Sequence, residues 1–344
     1  MLTVLTLEQS NQWDSIVRSF KQYDAYWLSG YVKAFQLHGD GEPLLFFYDD
    51  GSTRGINVVM KRDVAKDKHF VGKIEESKYF DFATPYGYGS WLIEGEKTDE
   101  LFKAYHSWCE KDGIISEFVR FHPMVKNHEK ASPFYEVIQL GEVVHMDLES
   151  PEVIWNNITS KNRNVIRKAI KNDVKIYNGR YPEIYETFRK IYNGTMDKDE
   201  AEEYYYFEPE FYTSILDDLS QNAQVFYAVK DSAVIAASIM LATNGMMDYH
   251  LSGSLREYSG LAATNLLLYE AALWGSANGY KSLYLGGGVG SGEDSLFRFK
   301  RAFYKGDLHH FYIGKRVINQ EKYDALLELR SEIENPGYFP KYRG

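Results

Sequence analysis

Cysteine is nearly absent from this chain: Cys109 is the single one in 344 residues. One thiol closes no internal disulfide, so cohesion has to come from packed cores. Long apolar runs are missing too. The longest candidates, such as residues 261–274, are broken by Thr264, Asn265 and Glu270, short of the roughly 18 apolar residues that a membrane-spanning helix needs. The opening stretch, MLTVLTLEQSNQWDS, holds no basic segment followed by an apolar one, which excludes a secretory signal there. A soluble, cytoplasmic protein is the expectation, free to touch a membrane surface without crossing it.

Positive charge is in deficit: 49 acidic side chains stand against 39 basic ones, a net charge of −10. That balance excludes coating a nucleic acid through a broad basic face and leaves any polyanion to a local basic patch. No HExxH, CxxC or His/Cys cluster is present, so no metal is expected. The segment GGGVGSGED (286–294) has no following Lys-Ser/Thr. It is therefore no nucleotide-binding P-loop, and reads as a flexible loop that orders over substrate.

What the chain has in plenty is aromatic surface: 28 Tyr, 20 Phe and 6 Trp, enough ring faces to fill cores and line a wide groove. Its length is beyond that of an ordinary single core, and two domains are expected. The clearest pattern is an internal echo. PLLFFYDDGSTRGINVVMKR (43–62) and AQVFYAVKDSAVIAASIMLAT (223–243) each read as two β-rich runs around a turn. Each is followed by a strand-like segment, a helix, a stopping glycine and another strand. In both copies a Trp precedes that glycine by five residues, Trp108 before Gly113 and Trp274 before Gly279. Glycine just past a helix is the usual left-handed stop. Matched spacing in two copies points to duplication of an α/β unit. Between the copies, Ser150-Pro151-Glu152 has the cap, the N1 proline and the first-turn acid of a helix start, and a basic helix follows over 161–175. A helix is also expected over 183–193.

Several clusters can do chemistry. The strand, loop and helix DYHLSGSLREYSGLAATNLLLYEA (248–271) opens its helix near Gly260 with small residues, and free N–H groups at a helix start suit a phosphate or pyrophosphate. In the frame of the acyl-CoA signature of the GNAT superfamily, Glu257, Gly260 and Ala262 occupy the key positions; Glu257 is a departure, since Gln or Arg is expected there, although Arg256 is adjacent. Small residues would equally let the helix pack closely on its sheet. DFATPYGYGSW (81–91) and VRFHPMVKN (119–127) read as cleft walls, with Tyr86 and Tyr88 interleaved with glycines in a Pro-initiated turn and with Arg120 and His122 on one strand face. His122 is a candidate base but is also placed like a structural hydrogen-bonder before Pro123. Arg163, Arg167 and Lys171 recur every fourth residue as one helical stripe, the best local patch for tRNA or phosphate, though solvated helix faces share that spacing.

The runs YHLSGS (249–254), LLLYEAALWGSANGY (266–280), YLGGG (284–288) and FRFKRAF (297–303) follow an order and spacing that resemble the FemABX peptidyltransferases. SKNRNVIRKAIKNDVKI (160–176) and WLSGYVKAF (27–35) extend the resemblance over most of the chain, in a form without a long coiled-coil arm. It implies an α/β (α+β mixed-sheet) protein of two tandem GNAT-like domains. The first would comprise residues 1–143 with 317–344 and the second, donor-binding and catalytic, 144–316, with a substrate cleft between or across them. It implies transfer of an amino acid from aminoacyl-tRNA to an amine of a peptidoglycan precursor, with no cofactor beyond that co-substrate. Carried over position by position, Lys300 would face the oxyanion and Tyr249 would donate a hydrogen bond near the reacting centre. Phe299 would wall the pocket or stack on the donor's terminal base, Ser252 would contact substrate, and Lys33 would meet the acceptor's phosphates. The acidic stretch TMDKDEAEEYYYF (195–207) stands where several members carry an acceptor-binding arginine, which argues against a UDP-linked or lipid-linked acceptor. A CoA-dependent N-acyltransferase and a non-catalytic nucleotide-sugar or carbohydrate binder on the same architecture remain the alternatives.

Overall fold

The computed structural model describes residues 1–344 apart from Ser291. The chain divides into two units, Met1–Leu140 with Phe311–Gly344, and Gly141–His310.

In the first unit, β1 (Leu2–Leu5), β2 (Glu42–Asp49) and β3 (Arg54–Asp63) run antiparallel in that order. The β2–β3 turn is set by Asp50, whose Oδ1 accepts the N–H groups of Ser52 and Thr53, both at 2.8 Å. Next to β3 lies β4 (Phe80–Ala83), while β5 (Leu92–Glu94) pairs with the other end of β3. The helix Asp99–Lys111 then returns the chain to β6 (Ile114–Arg120), which is parallel to β4. Its stop, Gly113, has φ +73, and a Cβ there would lie 2.6 Å from the Lys78 carbonyl oxygen. Any other residue would be strained and would clash with backbone.

The second unit repeats this plan. β7 (Glu136–Asp147) enters it, and the helices Pro151–Asn157 and Ser160–Lys171 follow. Ser150 Oγ accepts from Val153 N at 3.2 Å, with Pro151 in the first turn, so the start signal in the sequence is used. β8 (Lys175–Gly179), β9 (Ala223–Lys230), β10 (Ala233–Thr243) and β11 (Met246–Ser254) are antiparallel neighbours. The helix Ala263–Ala277 leads to β12 (Ser282–Gly286), parallel to β11. The matched tryptophans do the same work. Trp108 packs edge-on against Phe46 of β2 (4.7 Å, 79°), and Trp274 packs edge-on against Phe226 of β9 (5.5 Å, 78°).

The last strand of each sheet comes from elsewhere in the chain. β6 is followed by β7, yet its antiparallel partner is β13 (His309–Val317); β12 is followed by β13, yet its antiparallel partner is β7. The chain end therefore belongs to the first unit. The helix Pro182–Lys198 is longer than expected, continuing past Asn193 into the acidic stretch. No helix among the described residues is long and apolar enough to cross a membrane.

Candidate active site

The helix Ser295–Arg301 is short and strongly basic, and its sixth residue is Lys300. Phe297 and Phe303 on either side anchor the segment in the core of the second unit, which draws Lys300 inward until only 9% of it is exposed. Its Nζ donates to the Gly287 carbonyl oxygen at 2.7 Å. Burial pushes the ammonium down to about 8, the Asp294 carboxylate opposing in part. The end of β12 is shaped to receive it. Gly286 has φ +80, and a Cβ there would lie 3.3 Å from Lys300 Nζ. The glycine-rich segment read as a lid thus begins as the seat of a lysine.

Strand register places the other candidates at the same end of the sheet. β11 and β12 pair in parallel from Met246↔Ser282 to Asp248↔Tyr284, although β11 runs on to Ser254. Tyr249 is the first residue beyond that pairing, level with the approach to Gly286 and Gly287. Burial pushes its phenol up to about 12, a hydrogen bond with Ser252 acting the other way, so the hydroxyl keeps its proton and can donate. Ser252 Oγ lies 3.5 Å from the Ala237 carbonyl oxygen. Phe299 is half-buried against the core and edge-on to Phe303 at 5.5 Å. On the same strand, desolvation drives His250 down to about 3, which keeps that imidazole neutral.

Residues 160–301 match the family model of the acetyltransferase (GNAT) domain. That stretch, less than half of the chain, is similar to acetyltransferase (GNAT) domains. No curated protein matches the chain, but solved structures do. FemX superposes with a TM-score of 0.67 at 10% identity, covering 94% of this chain and 99% of that one. A conserved protein of unknown function from Bacteroides thetaiotaomicron VPI-5482 gives a TM-score of 0.62 at 10% identity over 92% and 99% of the two chains. The C-terminal domain of a protein from Agrobacterium fabrum, described as a lysylphosphatidylglycerol synthetase, gives 0.56 at 16% identity over 94% of each chain. At such identities the likeness is one of fold: a FemX-like α/β fold.

Arg163 and Arg167 lie on the helix Ser160–Lys171, at the start of the matched stretch. Arg163 Nη1 donates to the carbonyl oxygens of Trp155 and Ile158, both at 3.2 Å, closing the end of the preceding helix. Arg167 is exposed, 2.9 Å from Asn164 Oδ1 and 5.0 Å from the Trp155 ring. Of the stripe, Arg167 is better placed for an external anion than Arg163, whose guanidinium is occupied by backbone.

In the first unit, Tyr86, Tyr88, Arg120 and His122 occupy the place equivalent to the Lys300 site, just past the β4–β6 pairing that ends at Ala83↔Phe118. Tyr86 stacks on Phe35 at 5.7 Å, and its carbonyl accepts from Tyr31 OH at 2.5 Å. Tyr88 is edge-on to Tyr26 at 5.4 Å and to His122 at 5.2 Å. Arg120 Nε donates to the Gly87 carbonyl at 3.0 Å while its guanidinium lies over Phe311. His122 is fully buried. Its Nδ1 accepts the N–H groups of Met124 and Val125, both at 3.2 Å, which puts the imidazole proton on Nε2, 2.9 Å from the equally buried Asp24. A histidine whose Nδ1 lone pair is taken by two backbone N–H groups holds a loop in place and has no lone pair left for a substrate proton. Lys33 is exposed on the helix Ser29–His38. Sequence reasoning missed Asp24 and Asp294. Asp294 carried a visible signal, an acidic residue directly before Ser-Leu-Phe at a helix start; Asp24 had none, because its partner is 98 positions away.

Proposed function

We propose that this protein is an aminoacyltransferase that moves an amino acid from aminoacyl-tRNA to an amine of a peptidoglycan precursor. The observation that carries the reading is Lys300: a buried ammonium hydrogen-bonded to Gly287 at the sheet end where β11 and β12 stop pairing, inside a GNAT domain of a chain with the fold of FemX.

In the reaction the acceptor nitrogen attacks the ester carbonyl of the donor. A C–N bond forms, the carbonyl oxygen becomes anionic, and collapse breaks the bond to the tRNA ribose oxygen, which leaves with the proton lost by the amine. An ammonium has three N–H donors, and Gly287 takes one of those of Lys300. The remaining donors can meet the oxyanion in a poorly solvated setting, where a fixed positive charge is most effective. With its value near 8, Lys300 is predominantly charged at neutral pH. Tyr249, held protonated, supplies a hydrogen bond to the carbonyl or the leaving oxygen. Arg167 and Lys33 are the contacts assigned to phosphates.

Acyl-CoA as donor is the second reading. It is favoured by the acetyltransferase match and by the start of the helix Ala263–Ala277, where Ala262 has φ 55 and supplies no side-chain cap, leaving N–H groups for a pyrophosphate. Glu257 weighs against it. Incubation of the purified protein with aminoacyl-tRNA, acyl-CoA or neither, in the presence of muropeptide amines, followed by mass spectrometry of the acceptor, tests both. Mass gain from aminoacyl-tRNA alone is expected. Gain from acyl-CoA alone transfers the conclusion to the second reading, and no gain from either donor overturns both.

A further inference from the structure

β12 ends on the first of three consecutive glycines, and each of the three meets a different neighbour. A Cβ on Gly286 would press on Lys300 Nζ at 3.3 Å, one on Gly287 would lie 3.0 Å from the Glu142 carbonyl oxygen, and one on Gly288 would lie 2.4 Å from Asp294 Oδ1 and 2.2 Å from the Gly292 carbonyl oxygen. All of these contacts fall below ordinary van der Waals separation, those of Gly288 by the most. The glycine run is therefore the imprint of a lysine on one side and a carboxylate on the other.

That carboxylate has two attachments. Asp294 Oδ1 accepts from Phe297 N at 2.8 Å, capping the helix that carries Lys300, and Oδ2 accepts from Val289 N at 2.9 Å, directly after the glycines. Lys300 closes the ring by donating back to Gly287. Helix, lysine, glycine segment and carboxylate form one closed circuit of hydrogen bonds. We propose that Asp294 is a positioning residue for Lys300, clamping the glycine segment to the lysine's helix so that the ammonium is held buried at one point. The chemical use of that ammonium rests on the transferase reading above; the clamp itself does not.

The other charged groups nearby are committed elsewhere or face an open cavity. Arg298 Nη1 donates to the Glu293 carbonyl at 3.0 Å and Arg301 Nη1 to the Gly306 carbonyl at 3.0 Å. Both arginines line, with Glu142, Glu293, Lys305 and Asp307, a cavity of about 490 Å³. Asp294 is held below the usual carboxylate range by the N–H groups of Phe297 and Val289 first, with Lys300 a smaller contributor, as expected of a group whose main work is structural.

A clamp and a mere through-space charge predict opposite signs. Removing a negative charge lowers the titration midpoint of a neighbouring lysine, whereas releasing the lysine into water raises it toward the ordinary value of about 10.4. The test is NMR titration of the ¹³Cε signal of Lys300, assigned by its loss in Lys300→Met, in Asp294→Ala and Gly288→Ala, with folding checked by circular dichroism. Gly288→Ala keeps the charge and displaces the carboxylate. From a midpoint near 8, a rise of at least about one pH unit is expected in both variants, with kcat falling more than KM changes. Asp294→Asn, which keeps an oxygen to cap Phe297, gives a smaller rise. An unchanged or lowered midpoint in a folded variant overturns the proposal. Normal transfer by Lys300→Met would instead remove the catalytic role of Lys300, and no transfer by the unaltered protein would overturn the transferase reading; either would leave the titration result standing.

Discussion

A lysine taken out of water has to be worth its desolvation, and at residue scale this makes Lys300 the most informative side chain in the molecule. Its folded-state value of about 8 lies below the unfolded value of about 10.4, so the charged form is penalised in the fold. The penalty is full below pH 8 and disappears as pH rises through the interval between the two values. Stability from this group therefore increases with alkalinity while the ammonium that the proposed transfer uses is lost. A pH–rate profile with an alkaline limb centred near 8 is expected, and a flat rate to pH 9.5 would remove the electrostatic role. Lys300→Met is expected to lose roughly 10² to 10³ in kcat, the scale of deleting an oxyanion donor, with no fall in melting temperature because a buried charge has been replaced by an apolar chain.

At the scale of elements, the second unit depends on how closely its helices approach the sheet. Gly253 in β11 has no room for a side chain: a Cβ would lie 2.8 Å from Tyr192 Cα and 2.9 Å from the Ile191 carbonyl oxygen of the helix Pro182–Lys198. Both neighbours are backbone and cannot swing aside. Gly253→Ala is expected to cost about 1–3 kcal/mol by overpacking, read from urea denaturation, and to disturb the strand that carries Tyr249. A neutral substitution would show that helix and strand separate easily. The YHLSGS run that marks the family resemblance thus contains both a candidate for chemistry, Tyr249, and a glycine required by packing.

At the scale of the whole chain, the terminal residues lock the first unit. Asp81 is fully buried and accepts from Arg62 Nε at 2.7 Å, Arg343 Nε at 2.6 Å and Tyr342 OH at 2.9 Å. Desolvation raises this carboxyl, but Arg62 and Arg343 outweigh it and hold it below its ordinary value. A lowered folded-state value means that the stabilisation is complete above the unfolded value of about 3.9 and is lost as pH falls below it. Asp81→Asn is expected to destabilise the protein by about 3–5 kcal/mol, the scale of stranding buried partners, and to flatten the acid limb of a stability–pH curve. Deleting residues 341–344 should lower the melting temperature in the same way. Unchanged melting in both would mean that the chain end is not bound in solution.

The amino-acid sequence by itself determined the repeated order of hairpin, strand, helix and strand, because turn residues, glycine stops and hydrophobic periodicity act over short distances. Trp108 with Gly113 and Trp274 with Gly279 were legible for that reason, as was the Ser150 cap. It also marked Lys300 and Tyr249, through a pattern of residues rather than through any visible chemistry. What it left open was partnership over long separations. Asp24 with His122, Asp81 with Arg343, β6 with β13 and β12 with β7 all join segments far apart in the chain, and no local preference encodes them. Only tertiary packing could exclude water from Lys300, give it the Gly287 carbonyl as a partner and tie Arg163 to a helix end, since desolvation and hydrogen-bond geometry exist only once the distant parts have come together.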